Sequence, residues 1–221
     1  MIRLEGVGYC YPDAPSVPVL SNLDLEIPDG SFVAILGPNA SGKSTLAKLL
    51  NALILPTAGT ISIDGTLIKP DVPTLGKVRC AVGMVFQNPE NQIIGDTVED
   101  DVAFGPENLG LSTEEIRKRV DEALSLMGLQ DCRKRNPAEL SGGQLQKLAI
   151  AGALALKSRY IVLDESLCML DSESKAEVLE VLRRINKEQN LSIILITHDE
   201  RDCADADKVY EMKEGSLTQR C

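Results

Sequence analysis

The 221-residue chain has one histidine, 23 lysines and arginines against 33 aspartates and glutamates, and a net charge of −10. It also lacks any apolar run near the roughly eighteen residues that cross a bilayer as a helix. Each shortage excludes something. One histidine leaves too few nitrogen ligands for an ordinary zinc site. The acidic balance argues against a broad nucleic-acid footprint and suits a solvated, soluble surface. The longest apolar stretch, Leu148 to Leu156, is threaded with alanines and Gly152 and lies in an expected helix. The start, Met1-Ile-Arg-Leu-Glu-Gly, alternates like a strand and has no charged leader before an apolar region, so cytoplasmic residence is expected. The six cysteines (Cys10, Cys80, Cys132, Cys168, Cys203, Cys221) form no C-x-x-C pair and fit a reducing compartment rather than a disulfide framework. No internal repeat or low-complexity linker interrupts the chain, and 43% hydrophobic content supports one compact domain with subdomains.

What is present centres on Gly37, Pro38, Asn39, Ala40, Ser41, Gly42, Lys43 and Ser44, which fit G-x-x-x-x-G-K-[ST]. Phe32 to Leu36 reads as a buried strand before it. Thr45 to Asn51 reads as a helix after it, with Leu46, Leu49 and Leu50 on one face. A glycine-rich turn lets backbone N–H groups approach phosphate oxygens, and the helix start adds open donors and a partial positive charge. Lys43 then reaches the β- and γ-phosphates, and the Ser44 hydroxyl is a ligand for Mg²⁺. The alternative is a glycine-rich surface turn with an exposed lysine, against which the flanking strand and helix weigh.

Further segments add chemistry. Tyr160-Ile-Val-Leu163 is a short strand ending in Asp164 and Glu165, where ligands bind in open α/β sheets, so one carboxylate can hold a metal and the other a water. Leu140-Ser-Gly-Gly-Gln144 makes a capping box of Ser141 and Gln144 ahead of Leu145, Leu148, Ala149 and Gly152, a second anion-ready helix start. Residues 1–30 and 57–70 carry alternating runs with turns at Pro28-Asp-Gly30 and Asp64-Gly65, as in a small antiparallel sheet. Residues 88–158 read as mainly helical, with a capping box at Ser112 to Glu115, an apolar face of Ile116, Val120, Ala123, Leu124 and Met127, and a stop at Gly128. Asp171 or Ser172 caps a helix to about Glu188, and Ser192 to Thr197 is a late strand.

The order of these motifs resembles the ATP-binding cassette (ABC) family over nearly the whole chain. The resemblance includes Gln87 in Val-Phe-Gln-Asn, Met169-Leu-Asp171 and Ile196-Thr-His198. Gly83 to Ile94, Thr97 to Gly105 and Ala149 to Ala155 are similar to the ATPase subunits of energy-coupling factor and cobalt/nickel importers. The resemblance implies an α/β P-loop NTPase fold: a RecA-like parallel-sheet core, an N-terminal antiparallel β subdomain and an inserted α-helical subdomain, together one ABC ATPase domain over 1–221.

It also implies roles. ATP and Mg²⁺ are the ligands: Tyr11 stacks on adenine, residues 37–44 with Thr45 bind the nucleotide, Asp164 and Gln87 join Ser44 at the metal, Glu165 polarises the attacking water, and His198 contacts the γ-phosphate. Ser141, Gly142, Gly143 and Gln144 close over ATP on an opposing chain, with Asp171 linking the two sites. Partners are a second cassette ATPase chain, identical or related, and integral membrane transport subunits, with no nucleic acid. The location is the cytoplasmic face of the membrane, held peripherally. The alternative is a soluble, non-transport cassette ATPase for assembly or nucleic-acid maintenance, but residues 50–140 have no room for the coiled-coil or zinc insertions usual there. Departures from the family pattern are Ser166, Leu167 and Cys168 after the acidic pair, Lys147 for the usual arginine, Ala40 for a frequent glycine, and the short stretch after His198.

Overall fold

The computed structural model describes residues 1–220; Cys221 lies outside them. The chain divides into two compact units. The first holds Met1–Met84, Arg159–Asp164 and the chain from Ile185 onward; the second holds Val85–Ser158 and Glu165–Arg184.

In the first unit β1 (Ile2–Cys10) and β2 (Pro18–Ile27) pair antiparallel. Ile2 and Leu4 are buried, then Val7 and Tyr9, because a bulge at Gly6 (φ 57) shifts the register and moves the inward set by one residue. β3 (Phe32–Leu36) enters a second sheet and feeds α1 (Lys43–Leu50). The helix begins two residues before the expected Thr45, because it opens directly from Gly42 at φ 106. Leu46, Leu49 and Leu50 are fully buried, each contributing about 1.5–3 kcal/mol of apolar transfer energy.

β4 (Ala58–Ile63) and β5 (Thr66–Leu67) return to the antiparallel sheet, whose order is β2-β1-β4-β5. Asp64 (φ 52) and Gly65 (φ 75) form the hairpin turn, both in the left-handed region that a two-residue loop of matching twist requires. The helix α2 (Val72–Ala81) was not foreseen from sequence. Asp71 caps it by accepting from the Thr74 N–H at 2.9 Å, but its Pro73 and Gly76 and its one buried residue, Val78, leave little helical periodicity to read.

β6 (Val82–Val85) joins the second sheet, whose order is β10-β9-β3-β8-β7-β6, with β7 at Tyr160–Asp164, β8 at Ser192–Thr197, β9 at Lys208–Lys213 and β10 at Ser216–Gln219. β3, β7 and β8 run parallel and are buried almost throughout, which is why they read as continuous apolar runs instead of alternating ones. Leu36 lies opposite Thr197 and Asp164 opposite Ile196, so the three strands end together.

The second unit is built on α3 (Val98–Asn108), α4 (Thr113–Leu126) and α5 (Gly142–Ala155), with α6 (Ser172–Gln189) as far as Arg184. Val120, Ala123, Leu124 and Met127 are buried along α4, and Gly128 (φ 66) ends it. The expected box at its start is one-sided: Ser112 accepts from the Glu115 N–H at 3.3 Å, but the Glu115 carboxylate takes Arg119 Nε at 2.8 Å instead of reaching back. An i,i+4 charge pair outcompetes the return bond. Among the described residues no helix is long and apolar enough to cross a membrane.

Candidate functional site

In the first unit, the common C-terminal edge of β3, β7 and β8 brings together the turn of residues 37–42, Asp164 and His198. Lys43 is 3% exposed, and its Nζ donates to the carbonyls of Gly37 and Pro38, each at 2.8 Å. The charge is thus stationed at the mouth of the turn. Ala40 (φ 63) and Gly42 (φ 106) hold the left-handed conformations that fold the turn around it. A Cβ on Gly37 would sit 2.4 Å from the Met212 carbonyl oxygen, so β9 leaves space for glycine alone. The Ser41 hydroxyl is buried without a hydrogen-bond partner, an unmet polar group lodged where an anion's oxygens would lie.

The Ser44 hydroxyl donates to Asp164 Oδ1 at 3.0 Å, with Asp164 buried to 4%. A hydroxyl and a carboxylate held together are hard oxygen donors of the kind Mg²⁺ takes in nucleotide sites. Beyond β1, the Tyr11 and Thr45 hydroxyls hydrogen-bond at 3.1 Å, and the Tyr11 ring meets the Tyr9 ring edge-on with centroids 5.0 Å apart. Tyr11 is 37% exposed, which leaves its ring area on which a base can stack. His198 is exposed at the end of β8. Its turn is fixed by Thr197, which donates to Asp202 Oδ2 at 2.7 Å and accepts from the Asp199 N–H at 3.0 Å. Sequence reasoning did not find Asp202, whose partner lies five residues back with no motif to mark the pair.

The second unit holds Gln87, Ser141 to Gln144, Glu165 and Asp171. Gln87 is exposed. The segment beyond it is clamped by Gln92, whose Oε1 accepts from the Phe86 N–H at 3.1 Å and whose Nε2 donates to the Ala149 carbonyl at 3.3 Å. The Gln92 side chain therefore serves the fold of its own unit. At the start of α5 both halves of the capping box form: the Ser141 hydroxyl accepts from the Gln144 N–H at 3.3 Å, and Gln144 Oε1 accepts from the Ser141 N–H at 3.0 Å.

Glu165 has φ 47, a left-handed conformation that disfavours a side chain with a Cβ by about 1–2 kcal/mol. Such strain at the end of a strand is common where a side chain must be aimed. Asp171, not Ser172, caps α6 by accepting from Glu173 N and Ser174 N at 3.1 and 2.9 Å, and the Ser174 backbone bond holds its carboxyl below the usual range.

A family model described as "ABC transporter" matches residues 20–167. The chain belongs to the ABC transporter family. It is 46% identical over 217 residues to the energy-coupling factor transporter ATP-binding protein EcfA of Syntrophomonas wolfei, covering 98% of this chain and 79% of the relative. It is 50% identical over 222 residues to EcfA1 of Symbiobacterium thermophilum, covering 98% and 77%. Among solved structures, it matches cbiO1 of Clostridium perfringens, part of the ABC transporter complex cbiONQ. That match has a TM-score of 0.89 at 36% identity, covering 98% of this chain and 86% of the other. It also matches the dimeric ATP-binding cassette MJ0796 bound to ADP and Pi, with a TM-score of 0.92 at 32% identity, covering 100% and 98%.

The departures from the ABC pattern have local explanations. Lys147 Nζ pairs with Glu177 Oε2 at 3.1 Å, so it ties α5 to α6 with a single contact where a guanidinium would make two. Leu167 is buried to 2%, a position that suits an apolar side chain. Cys168 is exposed, but its thiol is pushed up by partial burial and by the Glu165 charge, which keeps it protonated at neutral pH.

Proposed function

We propose that this chain is the ATP-binding and ATP-hydrolysing subunit of a membrane importer of the energy-coupling factor or cobalt/nickel type. The observation that carries this reading is the near-full-length identity of 46% and 50% to energy-coupling factor ATP-binding proteins. The likeness to a cassette from a cbiONQ complex supports it. The chain works as a nucleotide-sandwich dimer with an identical or related chain, docked peripherally on integral membrane subunits at the cytoplasmic face. The dimeric MJ0796 cassette supports the sandwich.

The residues divide the work. The turn of residues 37–42 and Lys43 hold the β- and γ-phosphates, and Tyr11 carries the base. Ser44, Asp164 and Gln87 would hold Mg²⁺, which would supply charge neutralisation at the phosphates. Glu165 accepts a proton from the attacking water. His198 donates toward the γ-phosphate oxygens as charge spreads over them. Ser141 and the N–H groups opening α5 complete the site of the opposing chain, with Gly142, Gly143 and Gln144 against its γ-phosphate and Asp171 joining the two sites. Tighter binding of ATP by the closed dimer than by the open one drives closure, and hydrolysis releases it.

Glu165→Gln tests the chemistry: turnover falls by about 10²- to 10⁴-fold while nucleotide binding is retained, and an unchanged rate removes Glu165 from the reaction. Purification of tagged chain from detergent-solubilised membranes tests the assembly. Co-purified integral membrane proteins support the importer; soluble partners alone favour a non-transport ATPase.

A further inference from the structure

The capping box at the start of α5 has a third member. Gln144 Oε1 is taken by the Ser141 N–H, and its Nε2 donates to Cys132 Sγ at 3.6 Å. Cys132 is 6% exposed and lies in the last turn of a short 3-10 segment, Gln130–Cys132. The two ends of a glutamine amide are nearly identical in shape, so its neighbours decide which end is oxygen and which nitrogen. The Ser141 N–H can only donate and so takes Oε1, and the Cys132 sulfur accepts from the Nε2 that this leaves facing it, which holds the amide at both ends.

The sulfur is a fixed reference point. The Cys132 N–H bonds the Leu129 carbonyl at 3.0 Å, and its carbonyl accepts from Arg135 N at 2.8 Å. Val98 N and Glu99 N at the start of α3 donate to the Arg135 and Arg133 carbonyls at 3.0 and 3.1 Å. The Arg133 guanidinium is held between Glu99 and Asp121, and Glu99 also pairs with Lys134. The loop before Ser141 is thus tied to two helices of the unit, and Cys132 transmits that position to Gln144 through one contact.

We propose that Cys132 is a positioning residue for dimer closure. Its sulfur anchors the nitrogen end of the Gln144 amide, the amide completes the box with Ser141, and the box holds the Ser141 hydroxyl and the first N–H groups of α5 where they meet the opposing chain's nucleotide. This rests on the sandwich reading above. Cys132 itself is buried and acts only through Gln144.

The test compares Cys132→Val, close to isosteric but with no acceptor, with Cys132→Ser, which keeps one. Both are made in the full-length chain and measured with ATP and Mg²⁺. Loss of the contact raises the ATP concentration for half-maximal turnover by about threefold to tenfold, and Cys132→Ser restores it to within about twofold of the parent. The same shift is expected for ATP-driven dimerisation of a Glu165→Gln background followed by sedimentation. Fluorescent-nucleotide binding to the monomer stays at the parent value in both variants.

In a Gln144→Leu background, Cys132→Val adds no further effect. Parent-like behaviour of Cys132→Val while Gln144→Leu is impaired overturns the positioning role and leaves the sandwich reading standing. An equal loss from Cys132→Val with and without Gln144 also overturns it, because the effect then runs through packing. Parent-like turnover of Gln144→Leu itself overturns the sandwich reading and the proposal with it. If the valine variant melts well below the parent, Cys132→Ala replaces it, with the same expected shift and the same rescue by serine.

Discussion

Gly142 occupies the first position of α5, and apart from its chain neighbours and the backbone of its own helix nothing lies within 4 Å of where its Cβ would be. Its φ is not in the left-handed region, so neither backbone conformation nor internal packing requires glycine there. Gly37 differs, since its missing Cβ makes room for the Met212 carbonyl. Alanine at 142 therefore stabilises the free chain: glycine in a helix is less favourable than alanine by about 0.5–1 kcal/mol, and an N-terminal position gives the lower part of that range. For a chain of this size the gain raises Tm by about 1–4 °C.

Function moves the other way. If the turn closes on a phosphate of the opposing chain, a methyl group at 142 stands between the helix N–H groups and the phosphate oxygens. The loss of one such set of contacts lowers ATPase activity by about tenfold or more, with monomer nucleotide affinity unchanged. Differential scanning fluorimetry and steady-state ATPase assays on Gly142→Ala measure the two effects separately. A variant that is more stable and fully active refutes the reasoning, because the glycine would then face no ligand. A variant that is less stable refutes the claim that the space around residue 142 is open.

The remaining predictions concern the supports of the site. Gly37→Ala forces about 1 Å of separation between β3 and β9, which lowers stability by about 1–3 kcal/mol and Tm by about 2–12 °C; an unchanged melt by calorimetry contradicts the close approach. The hydrogen bonds from Lys134 and Arg133 hold the Glu99 carboxyl below the usual glutamate range. Its contribution to stability is therefore fully present above the unfolded pKa and is lost as pH falls through the lower folded pKa. Glu99→Gln flattens that acid limb in urea titrations between pH 6 and 3, and a limb of unchanged slope removes Glu99 from the linkage.

Much of this chain is legible without coordinates, for local reasons. The strands Phe32–Leu36 and Ser192–Thr197 coincide with the observed β3 and β8, because strands covered on both faces must be apolar at every position. The capping box of Ser141 and Gln144 spans three residues, and so does its signature in sequence. Helix α2 escaped notice because it buries only Val78 and contains Pro73 and Gly76. The Ser112 box was legible but the loss of its return bond was not, because Arg119 competes for the Glu115 carboxylate from the next turn.

By itself the sequence determined the chemistry available: a glycine-rich turn with its lysine, an acidic pair at a strand end and a capped helix start, each written in contiguous residues. Only the tertiary structure decided which distant groups serve them. Residue 44 meets residue 164 because parallel strands end at a common edge. Gly37 must lack a side chain because Met212 passes over it, and the Gln144 amide meets the sulfur of a cysteine twelve residues away. Contacts of that kind come from sheet order and loop packing, which bring together residues whose separation along the chain follows no periodicity.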